Sequence, residues 1–139
     1  MRDLVNNVKV TKAKATGQAT ATGNGGVVID SQGFQSLMFA VLLSAVAAAD
    51  GDNTLTFGVE EGDASDGSDL VAIADTDRLI GAAVVNATTD DEKTLKLGVS
   101  IGVKRYFRLT FTEVGTVDAT FDAVAILGHP NHAPVAAEA

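Results

Sequence analysis

Thr54-Leu55-Thr56-Phe57-Gly58-Val59-Glu60-Glu61 alternates polar and apolar side chains with a period of two. In an extended chain successive side chains point to opposite sides, so Leu55, Phe57 and Val59 share an inward face while Thr54, Thr56 and Glu60 face water. The stretch therefore reads as a half-buried strand. Turn formers bound it: Asp50-Gly51-Asp52-Asn53 before it and a polar loop over residues 61–69 after it.

The same period returns further along the chain. Leu95, Leu97, Val99, Ile101 and Val103 are in phase over residues 93–103. Over residues 104–112, Phe107, Leu109 and Phe111 read as inward, with Tyr106, Arg108 and Thr110 outward. A turn over residues 113–117 leads to a last strand, residues 119–127, in which Phe121 is in phase with Ala123, Ala125 and Leu127. Toward the N-terminus, Val8 and Val10 open a strand, and residues 12–22 alternate polar with small residues, a ribbon whose inward face carries only alanines. Asn24-Gly25-Gly26 is a turn by residue type, Val27-Val28-Ile29 a short strand, and residues 70–73 another.

Residues 37–46 are the most apolar segment. Read as a strand, they send Leu37, Phe39, Val41 and Leu43 one way and Met38, Ala40, Leu42 and Val46 the other. A helix is the rival, because alanine and leucine form helices well; strand-like neighbours on both sides favour the strand. Both faces are apolar, so the strand is either covered twice or presents one side to a partner. Eight or nine short strands with turn signals about ten residues apart predict an all-β fold. The expected architecture is an antiparallel β-sandwich of jelly-roll or immunoglobulin-like kind. Residues 1–128 are expected to form one domain with an N-terminal ribbon. Residues 129–139, with Pro130 and Pro134, are expected to form a contact tail.

Composition narrows the function. The 139 residues are 46% hydrophobic, 20% charged and 5% aromatic, with no cysteine or tryptophan. That is too apolar for an acidic disordered segment, and a thiolate metal site or disulfide framework is excluded. No apolar run approaches the roughly 18 to 20 residues of a spanning helix, and the first ten residues lack the apolar core of a secretory leader. A net charge of −8 disfavours a general nucleic-acid binder, so neither nucleic acid nor membrane is expected as a partner. Charge is segregated: residues 50–77 hold nine acidic side chains and no basic one, whereas Arg2, Lys9, Lys12 and Lys14 sit near the start. Solvated loops explain the acidic run; alternatively, the basic ribbon of one copy meets the acidic loops of another, in a salt-sensitive contact.

Candidate chemistry is sparse. The aspartate and glycine clusters at residues 50–53 and 60–69 match no twelve-residue calcium loop and read as turns. His129 and His132, three apart, suit zinc only with carboxylates brought from elsewhere. Placed in a contact between subunits instead, they would loosen it below about pH 6.5. Gly98-Val99-Ser100-Ile101-Gly102 has the letters of a nucleophile elbow without the strand-to-helix turn it requires. Glu60 and Glu61 point to opposite faces and make poor acid/base partners. No enzyme activity, cofactor or metal is expected. Basic and aromatic residues interleave at Lys104-Arg105-Tyr106-Phe107-Arg108, but with Phe107 needed inside, Tyr106 and Arg108 read as interface residues.

Several segments resemble a family of small virion proteins of tailed bacteriophages and prophages, encoded near the major capsid protein. The matching pieces are Met1-Arg2-Asp3-Leu4 with Val8, Asp30-Ser31-Gln32-Gly33-Phe34, the acidic loop over residues 60–69, Gly102-Val103-Lys104-Arg105-Tyr106-Phe107-Arg108-Leu109, and Gly128-His129-Pro130-Asn131-His132-Ala133-Pro134. Of these, the Lys104-Arg105-Tyr106 strand and the histidine-proline ending are the specific ones. Where members of the family often carry tryptophan after the acidic loop, this chain has Asp69-Leu70-Val71, which argues against a sugar-binding module. The resemblance implies a capsid decoration (cement) protein on the head exterior, present in the host cytoplasm during assembly. Its partners would be the major capsid protein and copies of itself, in one arrangement a trimer. A neck, tail or fibre-base component is the alternative, and a glycan- or calcium-binding sandwich is the alternative of another class. The expected contact residues are Arg2, Lys9, Lys12, Met38, Leu42, Tyr106, Arg108, His129, Pro130 and His132.

Overall fold

The computed structural model describes residues 3–19, 21–81, 84–85, 87–132 and 135, with backbone only at 15, 16, 18, 19 and 76. Arg2 and most of residues 133–139 lie outside the described residues. Eleven strands are present among those described: β1 (Val8–Ala19), β2 (Gly23–Asn24), β3 (Ile29–Asp30), β4 (Phe34–Ala48), β5 (Thr54–Gly62), β6 (Val71–Ala72), β7 (Leu79–Ile80), β8 (Val84–Val85), β9 (Thr94–Val99), β10 (Tyr106–Val114) and β11 (Asp118–Pro130). The count exceeds eight or nine because five of these are two-residue ladders laid along the edges of longer strands.

The strands form two antiparallel sheets. One has the order β1-β11-β4-β9-β7; in the other, β10 pairs with β5, with β2 and β3 along the outer side of β10 and β6 and β8 along that of β5. From β6 onward every connection crosses from one sheet to the other. The fold is thus an all-β antiparallel sandwich with one core between its layers.

The core explains how so few aromatics suffice. Phe121 of β11 meets Phe57 of β5 and Phe111 of β10 edge-on, at centroid distances of 5.0 and 5.4 Å. This is the T-shaped arrangement favoured by the ring quadrupoles. Inward-facing Ala119, Ala123 and Ala125 of β11 lie in register with Val46, Val41 and Phe39 of β4, so small residues sit beside large ones.

Four sequence expectations are corrected. Val46 is buried with the inward set, not on the face of Met38 and Leu42. Register shifts bracket Ala119 and Thr120, and the irregular segment moves the strand's parity by one residue. The alternation over residues 93–103 ends at Val99. The chain there leaves the sheet as the Ser100 amide donates to the Arg78 carbonyl, and Val103 is 95% exposed. Pairing of β11 also runs past residue 128: Pro130 opposes Phe34, the Asn131 amide donates to the Gly33 carbonyl, and Val135 donates to the carbonyl of Asn6. The turn expected at Asn24-Gly25-Gly26 begins later, because Asn24 is paired with Thr110 and the positive φ falls at Gly26.

Candidate functional site: the outer face of the five-stranded sheet

The inward residues of β4 and β11 leave the alternate residues pointing outward, and register fixes which of them meet. Val10, Ile126, Met38, Gly98 and Ile80 form one continuous row across all five strands of the sheet. The next row is Lys12, Val124, Ala40 and Lys96, and the one after it contains Asp122, Leu42 and Thr94. Val10 is 56% exposed, Leu42 41% and Ile80 67%. The result is an apolar band with polar residues on its flanks, exposed at Val10, Leu42 and Ile80, half-buried at Met38, Val124 and Ile126, and buried at Ala40. Such a band is what a protein interface presents.

Charge sharpens this picture. Arg78, Lys93, Lys104, Arg105 and Arg108 are each paired with a carboxylate of the same chain. Lys12 and Lys96 make no ion pair among the described residues. They sit in the same row, three strand spacings or about 14 Å apart. A protein of net charge −8 thus places two unneutralised cations on one apolar face.

The interleaved basic segment behaves differently from its sequence reading. Arg108 lies in register with Glu60 and binds it through Nε and Nη2 at 3.1 and 2.7 Å. Arg105 holds Asp30 with two hydrogen bonds, at 2.8 and 2.7 Å, while its guanidinium lies 5.0 Å from the Tyr106 ring centroid. Lys104 bonds Asp63. The Arg105 hydrogen bonds hold the Asp30 carboxyl below the usual carboxylate range, and Asp63 raises Lys104. Arg108 thus faces outward as expected, with its charge paired to Glu60 of its own chain. The acidic loop is likewise engaged by its own chain at Glu60, Glu61 and Asp63.

Glu61, turned to the opposite side from Glu60, binds Arg78 through both oxygens at 2.5 and 2.6 Å, and Arg78 also donates to the Ser100 carbonyl. This clamp joins β5 of one sheet to the segments flanking β7 and β9 of the other. Both side chains are largely covered, and Glu61 holds the guanidinium pKa above its ordinary value.

The aspartate clusters are occupied within the chain. Asp50 Oδ1 accepts from the Asn53 side-chain amide and from the backbone amides of Asp52 and Asn53, and Asp69 accepts from the backbone amides of Ala64 and Asp63. These donors stabilise the ionised carboxylates and lower their pKa values. No group of three or more histidine, aspartate or glutamate side chains able to hold a metal ion occurs among the described residues, and no helix there is long and apolar enough to cross a membrane.

Of the other expected contact residues, Met38 and Leu42 lie on the apolar face together with Lys12. Lys9 lies on β1 in register with Leu127, and Tyr106 belongs to the other sheet. His129 and Pro130 belong to β11, where His129 Nδ1 is 2.9 Å from Ser36 Oγ, and His132 is exposed just beyond it. Sequence reasoning passed over Val10, Ile80, Lys96, Val124 and Ile126. The even-numbered apolar residues of β11 were the available signal; their neighbours across the sheet were not readable.

No family model matches the chain, and no curated protein is significantly similar to it. The class that can be stated is that of an antiparallel β-sandwich with one apolar outer sheet face.

Proposed function

We propose that this protein is a structural virion component, a decoration protein that reinforces a phage head by binding capsomers. The single observation that carries the reading is the apolar outer face that exposes Val10, Leu42 and Ile80 around half-buried Met38 and Ile126, rimmed by Lys12 and Lys96. Work of this kind depends on buried area and repetition. A specific contact needs roughly 1,200 to 2,000 Å² of total buried surface, and many weaker contacts on one shell gain through effective concentration. The resemblance of the Lys104-Arg105-Tyr106 strand and the histidine-proline ending to phage head proteins supplies the choice of shell.

The test is co-sedimentation of the full chain with expanded capsids that lack it. Saturable added mass, and greater resistance of the shells to heat or shear, is the expected result. No added mass at any protein concentration would remove the reading. A chain truncated after Asn131 keeps the Pro130–Phe34 pairing and the Asn131–Gly33 hydrogen bond, so it isolates the contribution of the terminal segment without removing part of β11.

A further inference from the structure

We propose that the outer face of the five-stranded sheet binds a second copy of this chain, face to face, about a two-fold axis running nearly along β4. The inference deepens the reading of the protein as an assembling subunit, and rests on it only in taking this face to be covered in the working state.

Register makes the face complementary to itself under that operation. Rotation about β4 carries β11 over β9 and β1 over β7. Within the first row, Ile126 then lies over Gly98 of the second copy, a bulky side chain against a position with none. Val10 lies over Ile80, the two most exposed apolar residues of the row. Met38 and Ala40 lie near the axis and meet their own counterparts; at Ala40 the small side chain permits close approach. Lys96 lies over Val124 of the second copy, two residues along β11 from Asp122, a separation of about 7 Å that a lysine stem spans. Asp122 also interacts with Lys14 of its own chain, so the second copy's Lys96 shares this carboxylate with Lys14. The two-fold repeats each contact, so two Lys96–Asp122 pairs flank the apolar centre. At the usual angle of about 30° between packed sheets, this correspondence holds best near the axis, where Met38, Ala40, Ile126 and Gly98 lie.

Other arrangements are less favourable. An axis across the strands through the lysine row would set Lys12 on Lys12 and Lys96 on Lys96. Pairing edge to edge through β1 meets two register shifts and three lysines at residues 9, 12 and 14, features that oppose strand addition. The area also fits. The axis lays β11 over the shorter β9 and β1 over the two-residue β7, so the matched strands cover about 500 Å² per partner, or about 1,000 Å² in total, close to the lower end of the range for a specific contact.

Sedimentation equilibrium of the full chain tests the proposal. The expected mass is twice 14.2 kDa. Met38→Asp should give a monomer with an unchanged circular dichroism spectrum, whose melting temperature no longer rises with protein concentration as that of the native dimer does. Gly98→Ala is accommodated by the fold, since its Cβ would meet only Ile80 atoms at 3.4 and 3.5 Å. It should nonetheless weaken association about tenfold by filling the position that receives Ile126. The decisive measurement mixes two single variants. Lys96→Asp and Asp122→Lys should each associate about tenfold more weakly than the native chain, and mixing them should restore dimers, because the heterodimer recovers both ion pairs. A fold defect in either variant cannot produce that recovery. A native chain that stays monomeric, a dimer indifferent to Met38→Asp, or a mixture no tighter than its components would each overturn the proposal. A dimer that passes these tests yet adds nothing to capsids supports this inference and sinks the functional reading; a monomer that decorates capsids does the reverse.

Discussion

The two sheets turn very different faces to solvent. That of β10 and β5 is threonine-rich and stitched by ion pairs, with Thr54, Thr56, Thr110 and Thr112 alongside Arg108–Glu60, and Arg105–Asp30 beside it. Its exposed apolar residues, Val84 and Val114, are set among threonines. The five-stranded sheet shows Val10, Ile126, Met38 and Ile80 in one row, and its outward cations Lys12 and Lys96 lack ion-pair partners among the described residues. Both sheets bury their inner faces in the same core, so fold stability alone does not require this asymmetry. The proposed assembly assigns the five-stranded face to a partner and leaves the other to the chain's own ion pairs.

The sharpest way to test that division uses β4 alone. Val41 is fully buried and Met38 lies three residues away on the other face. Val41→Asp should destabilise by about 4 kcal/mol or more, enough to unfold a marginal domain, because a carboxylate would enter the core unpaired. Met38→Asp should change stability by less than about 1 kcal/mol while abolishing association. Chemical denaturation distinguishes them; equal losses would mean that the outer face is part of the core.

A smaller effect is expected at the clamp between the sheets. Arg78→Ala leaves Glu61 without its bidentate partner in a largely covered position and should cost about 2 kcal/mol. A cost near zero by urea titration would show that the clamp is dispensable for joining the layers.

Acid should act on the ion-paired side first. Asp30 and Asp69 have folded pKa values below their unfolded ones, the first chiefly through Arg105 and the second through the amides of Ala64 and Asp63. A depressed carboxylate pKa contributes stability that is present above the unfolded value of about 3.9 and is lost as pH falls through the folded one. Melting temperature should thus decline below about pH 4, and Asp69→Asn should flatten that decline. An unchanged acid profile in the variant would remove Asp69 as a contributor.

Least is expected at the exposed pairs. Arg108→Ala should cost about 0.5 to 1 kcal/mol, less in high salt, since partly exposed ion pairs are screened. The apolar face should respond in the opposite sense, because salting-out anions such as sulfate strengthen apolar burial. Stability measured with Arg108→Ala and association measured on the native chain, both across a sulfate series, would separate the two faces; parallel trends would erase the distinction.

Much of this was legible in the chain. Period-two alternation placed β5, β9, β10 and β11, and the doubled apolar character of residues 37–46 marked β4 as a strand with two demanding faces. Met38, Leu42 and Lys12 were readable as outward contacts because parity is a local property. The pairing of Arg108 was not legible, because nothing in the sequence joins it to Glu60, forty-eight residues away. Val46 was misread because irregular pairing resets parity without leaving a residue signature. Lys96, Ile80 and Ile126 were passed over because each is unremarkable alone.

The sequence by itself determined the strand-forming periods, the alternating faces within each regular stretch and the excess of apolar residues beyond one core. Those properties follow from the two-residue repeat of an extended backbone, which local side-chain order encodes wherever pairing is regular. Only the tertiary structure decided which residues stand side by side across the sheets. It neutralised the basic segment at 104–108 with acids from residues 30, 60 and 63, and it aligned Val10, Ile126, Met38 and Ile80 from four distant segments into one row. Cross-strand register is a property of pairs of strands, fixed when their inward faces meet a common core, and a single strand's alternation does not contain it.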